Sequence, residues 1–214
     1  MKKFLNAILA ICLALFVIGS SVIITMNIKS IYYNNIDKLN IESMSNLSRE
    51  DIIENYDYLI DYNLSWKADE FELPSLPSSH NGKIHFEEVR DLFQNVKILT
   101  IITGIISIIG GIIQIRKKEF KFLRNSSILI IVMPVLLAIP IAINFNACFI
   151  MFHKIMFSND YWIFNPEIDP VINMLPETFF MHMGVAILAI MLICSIVLQL
   201  IYRKLKTINY DNLK

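Results

Sequence analysis

The chain has 214 residues, 55% of them hydrophobic, with a mean hydropathy of +0.54. That is high for a soluble domain, and the apolar residues fall in long blocks, the pattern of a small membrane bundle. Its 19 basic and 19 acidic side chains cancel, so net charge offers no attraction to nucleic acid.

Four runs are long enough to cross a bilayer, which needs about 20 residues at 1.5 Å each. They are Phe4–Thr25, Ile98–Ile115, Ile128–Ile150 and Phe179–Tyr202. The first follows Lys2 and Lys3 as a secretory signal would, but it is too long for such a core and no small-residue cleavage pattern follows, so it reads as a retained anchor. The chain therefore divides into a first span (1–25), a large outer segment (26–97), a second span (98–115), a basic link (116–127), a third span (128–150), an aromatic loop (151–178), a fourth span (179–202) and a tail (203–214). Arg116, Lys117, Lys118, Lys121 and Arg124 crowd the link, and Arg203, Lys204 and Lys206 the tail. The positive-inside rule puts these ends and the N-terminus in the cytoplasm, leaving 26–97 and 151–178 outside. The expected class is an all-α membrane protein with a mainly helical extracellular cap.

Within the cap, thirteen acidic residues outnumber six basic ones over 26–96. "SREDIIENYDYLIDYNL" predicts a helix capped by Ser48 with Asp51 three later, and Ile52, Tyr56, Leu59 and Ile60 share one face. "LPSLPSSHNGK" predicts a break ending in an Asn-Gly turn, with His80 in a solvated loop. "HFEEVRDLFQNVK" resumes a helix, apolar at Phe86, Val89, Phe93 and Val96, that runs into the second span. In that span Gly104, Ser107, Gly110 and Gly111 form a small-residue stripe suited to close helix packing. Cys12, Cys148 and Cys194 all lie in apolar runs, far apart, and read as small buried hydrophobes.

Four histidines remain for chemistry. His182, near the outer end of the fourth span, reads as a packing residue. His85 and His153 each mark the outer boundary of a span, so a folded cap can bring them together. An imidazole near a helix N-terminus is biased to the neutral form and one near a C-terminus to the charged form, which suits a base and acid pair. A metal site joining them to His80, Asp160 or Glu88 lacks any standard spacing. No nucleophile elbow and no phosphate-binding Walker loop is present, so no cofactor or nucleotide is expected.

The loop "FHKIMFSNDYWIFNPEIDPVINMLPETFF" is richer than an aromatic belt requires. Phe152, Tyr161, Trp162 and Phe164 alternate with Asn159 and Asp160, and Pro166, Pro170 and Pro176 fix its path. Such a loop fits a pocket for a lipid head region. This block, together with "HFEEVRDLF", resembles the lipoprotein intramolecular transacylase family, Lit. The resemblance implies an acyl shift from the sn-2 position of a diacylglyceryl-cysteine to the free α-amino group of the same cysteine, giving a lyso-form lipoprotein. It places the two catalytic histidines at His85 and His153, and the substrate among Asn159, Asp160, Tyr161, Trp162, Phe164 and Phe152. The expected partners are a diacyl lipoprotein and membrane lipid, and the expected state is a monomer. The helix position favours His85 as the base, with the reverse assignment open. Asp160 is a candidate to orient an imidazole, and Trp162, Tyr161, Asn159 or loop amides are candidates to hold the oxyanion. The competing readings are a non-enzymatic subunit with a partner-binding cap, supported by the acidic outer segment, and a lipid hydrolase.

Overall fold

The computed structural model describes residues 2–67 and 69–211. Met1, Ala68 and the last three residues of the predicted tail lie outside the described residues. Eight α-helices and one 3-10 turn account for the described secondary structure: α1 Lys2–Asn27, α2 Ser30–Lys38, α3 Ile41–Ser45, α4 Arg49–Leu64, α5 His80–Arg116, α6 Lys121–Ile143, α7 Phe145–Met156, the turn Pro170–Met174, and α8 Glu177–Asp211. Among the described residues four helices, α1, α5, α6 and α8, are long and apolar enough to cross a membrane.

The chain forms two compact units. The first draws on Met1–Ile24, Val96–Ile139 and Ala186–Lys214. Its burial pattern is the reverse of a soluble core. Ile101, Ile105, Ile108 and Ile112 of α5 are exposed, while Thr100, Thr103, Ser107 and Gln114 of the same helix are buried. In hydrocarbon, lipid solvates isoleucine as well as a protein interior does, and polar side chains must find partners inside. Several do: Ser126 Oγ donates to the Ala10 carbonyl at 3.1 Å, Ser195 Oγ to the Ser127 carbonyl at 2.8 Å, and Ser127 Oγ to Gln199 Oε1 at 3.1 Å, while Ser107 Oγ has no partner among the described residues. The glycine stripe of α5 packs on α1, since a Cβ at Gly104 would lie 2.8 Å from the Phe16 ring and one at Gly110 2.7 Å from Leu9.

The second unit comprises Thr25–Asn95 and Pro140–Val185. Its core is aromatic. Tyr32 and Tyr56 stack with centroids 3.7 Å apart, Phe179 meets both edge-on, and the Tyr32 hydroxyl donates to the Met174 carbonyl at 2.7 Å. Helix α4 begins as the sequence predicts: Ser48 Oγ accepts from the Asp51 amide at 3.1 Å, and Ile52, Tyr56, Leu59 and Ile60 are all buried. Asn40 and Asn46 bracket α3 in left-handed conformations, which asparagine tolerates better than most residues.

Three local expectations are corrected. The Asn81-Gly82 pair makes no turn; it lies in the first turn of α5, and His80 starts that helix. The reason is Ser79, whose Oγ accepts from the Gly82 amide at 2.9 Å as an N-cap. Asp169 holds that cap from outside, accepting from the Ser79 amide at 2.7 Å and the Ser79 hydroxyl at 2.8 Å. The apolar run at 128–150 is not one helix. Asn144 interrupts it, and its side chain accepts from the Ala147 amide at 3.0 Å to start α7 afresh. The basic link is shorter than 116–127, because α5 runs to Arg116 and α6 starts at Lys121.

Candidate active site

The site is built within the second unit from α5, α7 and the loop after α7. Helix α5 has 37 residues and is about 56 Å long, well beyond the ~30 Å of a hydrocarbon core. Its apolar run begins at Ile98, and His85 precedes that run in the sequence. His153 lies in the last turn of α7, past the break at Asn144.

The two imidazoles face each other with ring centroids 6.0 Å apart. No hydrogen bond joins them. His85 is buried, with the Phe157 ring edge-on at 4.8 Å and Phe164 at 5.5 Å. His153 is half-buried between Phe149 at 4.2 Å and the Trp162 indole at 4.8 Å. The spacing of Phe149, His153 and Phe157, each four residues apart, brings them to one face of the α7 end.

Hydrogen bonding fixes one ring. His153 Nδ1 lies 2.8 Å from the Phe149 carbonyl. A carbonyl only accepts, so Nδ1 carries the proton and Nε2 keeps its lone pair. Burial pushes the His85 pKa down to about 4, and the nearby His153 adds to the shift. Burial lowers His153 as well, against the bond to the Phe149 carbonyl, which favours its charged form. Both imidazoles are therefore neutral near pH 7. This revises the helix-dipole expectation of opposite shifts, because desolvation dominates at both rings.

Three buried polar atoms here have no partner among the described residues: His85 Nδ1, Trp162 Nε1 and Glu88 Oε2. An unpaired buried donor or acceptor costs about 1–3 kcal/mol, so their concentration beside two histidines marks a place built for a polar ligand. The other oxygen of Glu88 accepts from Asn159 Nδ2 at 2.7 Å, and Asn159 Oδ1 accepts from the Tyr161 amide at 3.0 Å. This chain of bonds ties the loop to α5 and positions Trp162.

Of the residues singled out in the sequence, His85, His153, Trp162 and Phe164 converge, and Asn159 joins through Glu88, while Phe152 is exposed and its ring meets that of the adjacent His153. Tyr161 stacks on neither imidazole. Asp160 is exposed and orients neither ring; the Phe149 carbonyl does that instead. Sequence reasoning passed over Phe149, did not assign Phe157 to the site and weighed Glu88 only as a metal ligand. The four-residue spacing around His153 and the three-residue step from His85 to Glu88 were the available signals. His182 packs as expected, its Nδ1 2.6 Å from Asn35 Oδ1. Among the described residues no three His, Cys, Asp or Glu side chains come together as a metal site would need.

A sequence profile for the lipoprotein intramolecular transacylase Lit matches residues 7–180. The chain belongs to the Lit family. The solved structure of the membrane-integral lipoprotein intramolecular transacylase Lit from Bacillus cereus is similar over 100% of this chain and 99% of that one, with 39% identity and a TM-score of 0.94. Two further structures of the Bacillus cereus protein carry the mutations H85R and H85A. They match at TM-scores of 0.91 and 0.90, with 39% and 38% identity, over 99% and 100% of this chain and 95% and 96% of theirs. No curated protein sequence matches. Membership in the Lit family makes the chain a membrane-integral transacylase, an acyltransferase whose substrate is a lipoprotein, rather than a docking subunit.

Proposed function

We propose that the protein moves the sn-2 acyl chain of a diacylglyceryl-cysteine lipoprotein to the α-amino group of the same cysteine, leaving a lyso-form lipoprotein, and that His85 and His153 manage the protons. The observation that carries this reading is the pair of imidazoles with centroids 6.0 Å apart among aromatic rings, with unpartnered polar atoms beside them.

The reaction asks for few parts. The amine nitrogen attacks the ester carbonyl carbon, the nitrogen loses a proton, and the sn-2 oxygen leaves and gains one. An ester becomes an amide, which is downhill, and both reacting groups belong to one substrate. The protein supplies no covalent nucleophile. Its first task is to fold a flexible lipopeptide into a ring with amine and carbonyl in contact, and such positioning is worth up to about 7–11 kcal/mol. The rings of Phe149, Phe157 and Phe164 suit the walls of that fold.

The proton work falls to the histidines, with a typical gain of about 10²–10⁴. His153 is the better base, since the Phe149 carbonyl leaves its Nε2 lone pair free and His85 is the more weakly basic ring. The proton taken from the amine then goes to the glyceryl oxygen, directly or through His85. Trp162 Nε1 is the donor suited to the oxyanion of the tetrahedral intermediate. The basic link and tail support cytoplasmic termini, an outward-facing site and residence in the cell membrane. The reading further takes the protein to work as a monomer among membrane lipids.

Mass spectrometry of a synthetic diacyl lipopeptide incubated with membranes carrying the protein tests this. The expected product keeps the parent mass but retains one acyl chain after alkaline ester cleavage. A hydrolase would instead release fatty acid. His153→Ala, correctly inserted, should abolish conversion, and unchanged product from that variant would refute its role.

A further inference from the structure

Glu88 is a half-buried carboxylate on α5. One oxygen accepts from Asn159 Nδ2 at 2.7 Å; the other, Oε2, is buried with no partner among the described residues. No lysine or arginine pairs with it among the ion pairs of the described residues. It lies three residues after His85 on α5, on the same helix face and about one turn along. Burying a carboxylate oxygen unpaired is unfavourable unless a cation or strong donor arrives to meet it. Asn159, at the start of the loop segment that carries Trp162, fixes its direction.

We propose that Glu88 receives the α-ammonium group of the substrate's N-terminal cysteine. The inference rests on the transacylase reading above and names the group that holds the nucleophile end of the substrate. The chemistry selects that group. A diacylglyceryl-cysteine carries one charge close to its reacting atoms, the α-amine, with an ordinary pKa of about 7.7–8.0. Ammonium on carboxylate is a charge-assisted hydrogen bond, among the stronger ones available, and stronger still out of water. Docked there, the nitrogen lies beside His85 and within the ring of groups that includes His153. The ammonium sheds two protons on its way to the amide: the first leaves through an imidazole to solvent, so the amine becomes nucleophilic while a remaining N–H still donates to Glu88, and the second passes to the departing sn-2 oxygen. The product carries an amide in place of the ammonium, loses that charge, and binds less tightly to Glu88. One carboxylate thus both recruits substrate and favours release.

A primary ammonium is also present on aminophospholipid headgroups, and the experiment separates the two sources. The probes are two lipopeptides with a non-transferable ether at sn-2, one with a free N-terminal amine and one lacking that amine. Binding is measured for the intact protein and for Glu88→Gln, in phosphatidylcholine–phosphatidylglycerol nanodiscs. The wild type should bind the amine-bearing probe at least ten times more tightly than the desamino probe, and Glu88→Gln should bind both alike. Adding phosphatidylethanolamine should leave the wild-type preference intact. An equal preference in both proteins, or abolition of the preference by phosphatidylethanolamine, would overturn the assignment. Glu88→Gln keeps an acceptor for Asn159, and its unfolding temperature shows whether the fold is retained. A parallel turnover assay of the wild type on the ester substrate tells the two failures apart: turnover without an amine preference sinks the Glu88 proposal alone, and no acyl transfer sinks the reading beneath it.

Discussion

Replacing Trp162 by Phe tests the oxyanion assignment in isolation. The substitution keeps an aromatic ring beside His153, where the indole now lies at 4.8 Å, and removes the Nε1–H. That N–H is buried and unpartnered in the resting protein. If it meets the developing oxyanion, its loss lowers kcat about 10²–10³-fold, the usual effect of deleting one such donor, or about 2.7–4 kcal/mol. Stability should respond differently. Losing an unsatisfied buried donor relieves about 1–3 kcal/mol, and the smaller ring gives back some burial, so the two contributions offset. The signature is a large fall in single-turnover rate on a diacyl lipopeptide with little change in the unfolding temperature in detergent. A variant whose kcat stays within threefold of wild type would refute the assignment. A large drop in unfolding temperature would mean that Trp162 matters as packing instead.

Three other outcomes follow from the geometry. Both imidazoles are held below the ordinary histidine value, so kcat/KM should rise with the substrate amine through about pH 7–8 and show no separate limb near 6.5; a histidine limb there would contradict the burial argument. The same shift makes the fold acid-sensitive. With His85 at about 4 when folded and about 6.5 unfolded, its contribution is present above 6.5 and lost as pH falls towards 4, roughly 3 kcal/mol in all. Thermal unfolding of His85→Gln across that range should lose this slope, and an unchanged slope would rule His85 out as its source. Gly82→Ala should destabilise by about 1–2 kcal/mol, although alanine ordinarily favours a helix. Its Cβ would lie 2.5 Å from Asp169 Oδ1 and push that carboxylate off the Ser79 cap. Chemical denaturation measures it, and a gain in stability would contradict the capping argument.

Much of this protein is written in runs and spacings. The four apolar helices, the Ser48 cap and the buried face of α4 follow from composition and period, because bilayer thickness and helical repeat are fixed physical lengths. The block around His153, with its aromatics, amides and prolines, carried the family and the histidine pair. The start of α5 was misread because Asn-Gly suggests a turn by itself, while Asp169, 90 residues away, stabilises a helix there. The break at Asn144 was hidden by an apolar run that looks continuous, since one side-chain oxygen competing with the backbone leaves hydropathy unchanged.

By itself the sequence determined an all-helical, membrane-crossing chain with two histidines worth pairing, since each depends on local composition and order. Tertiary structure decided the 6.0 Å approach of those rings, the neutral state that burial imposes on both, the tautomer set by the Phe149 carbonyl and the unpartnered oxygen of Glu88. Those depend on desolvation and on which atoms meet across long separations in the chain, and neither can be read from neighbours in sequence.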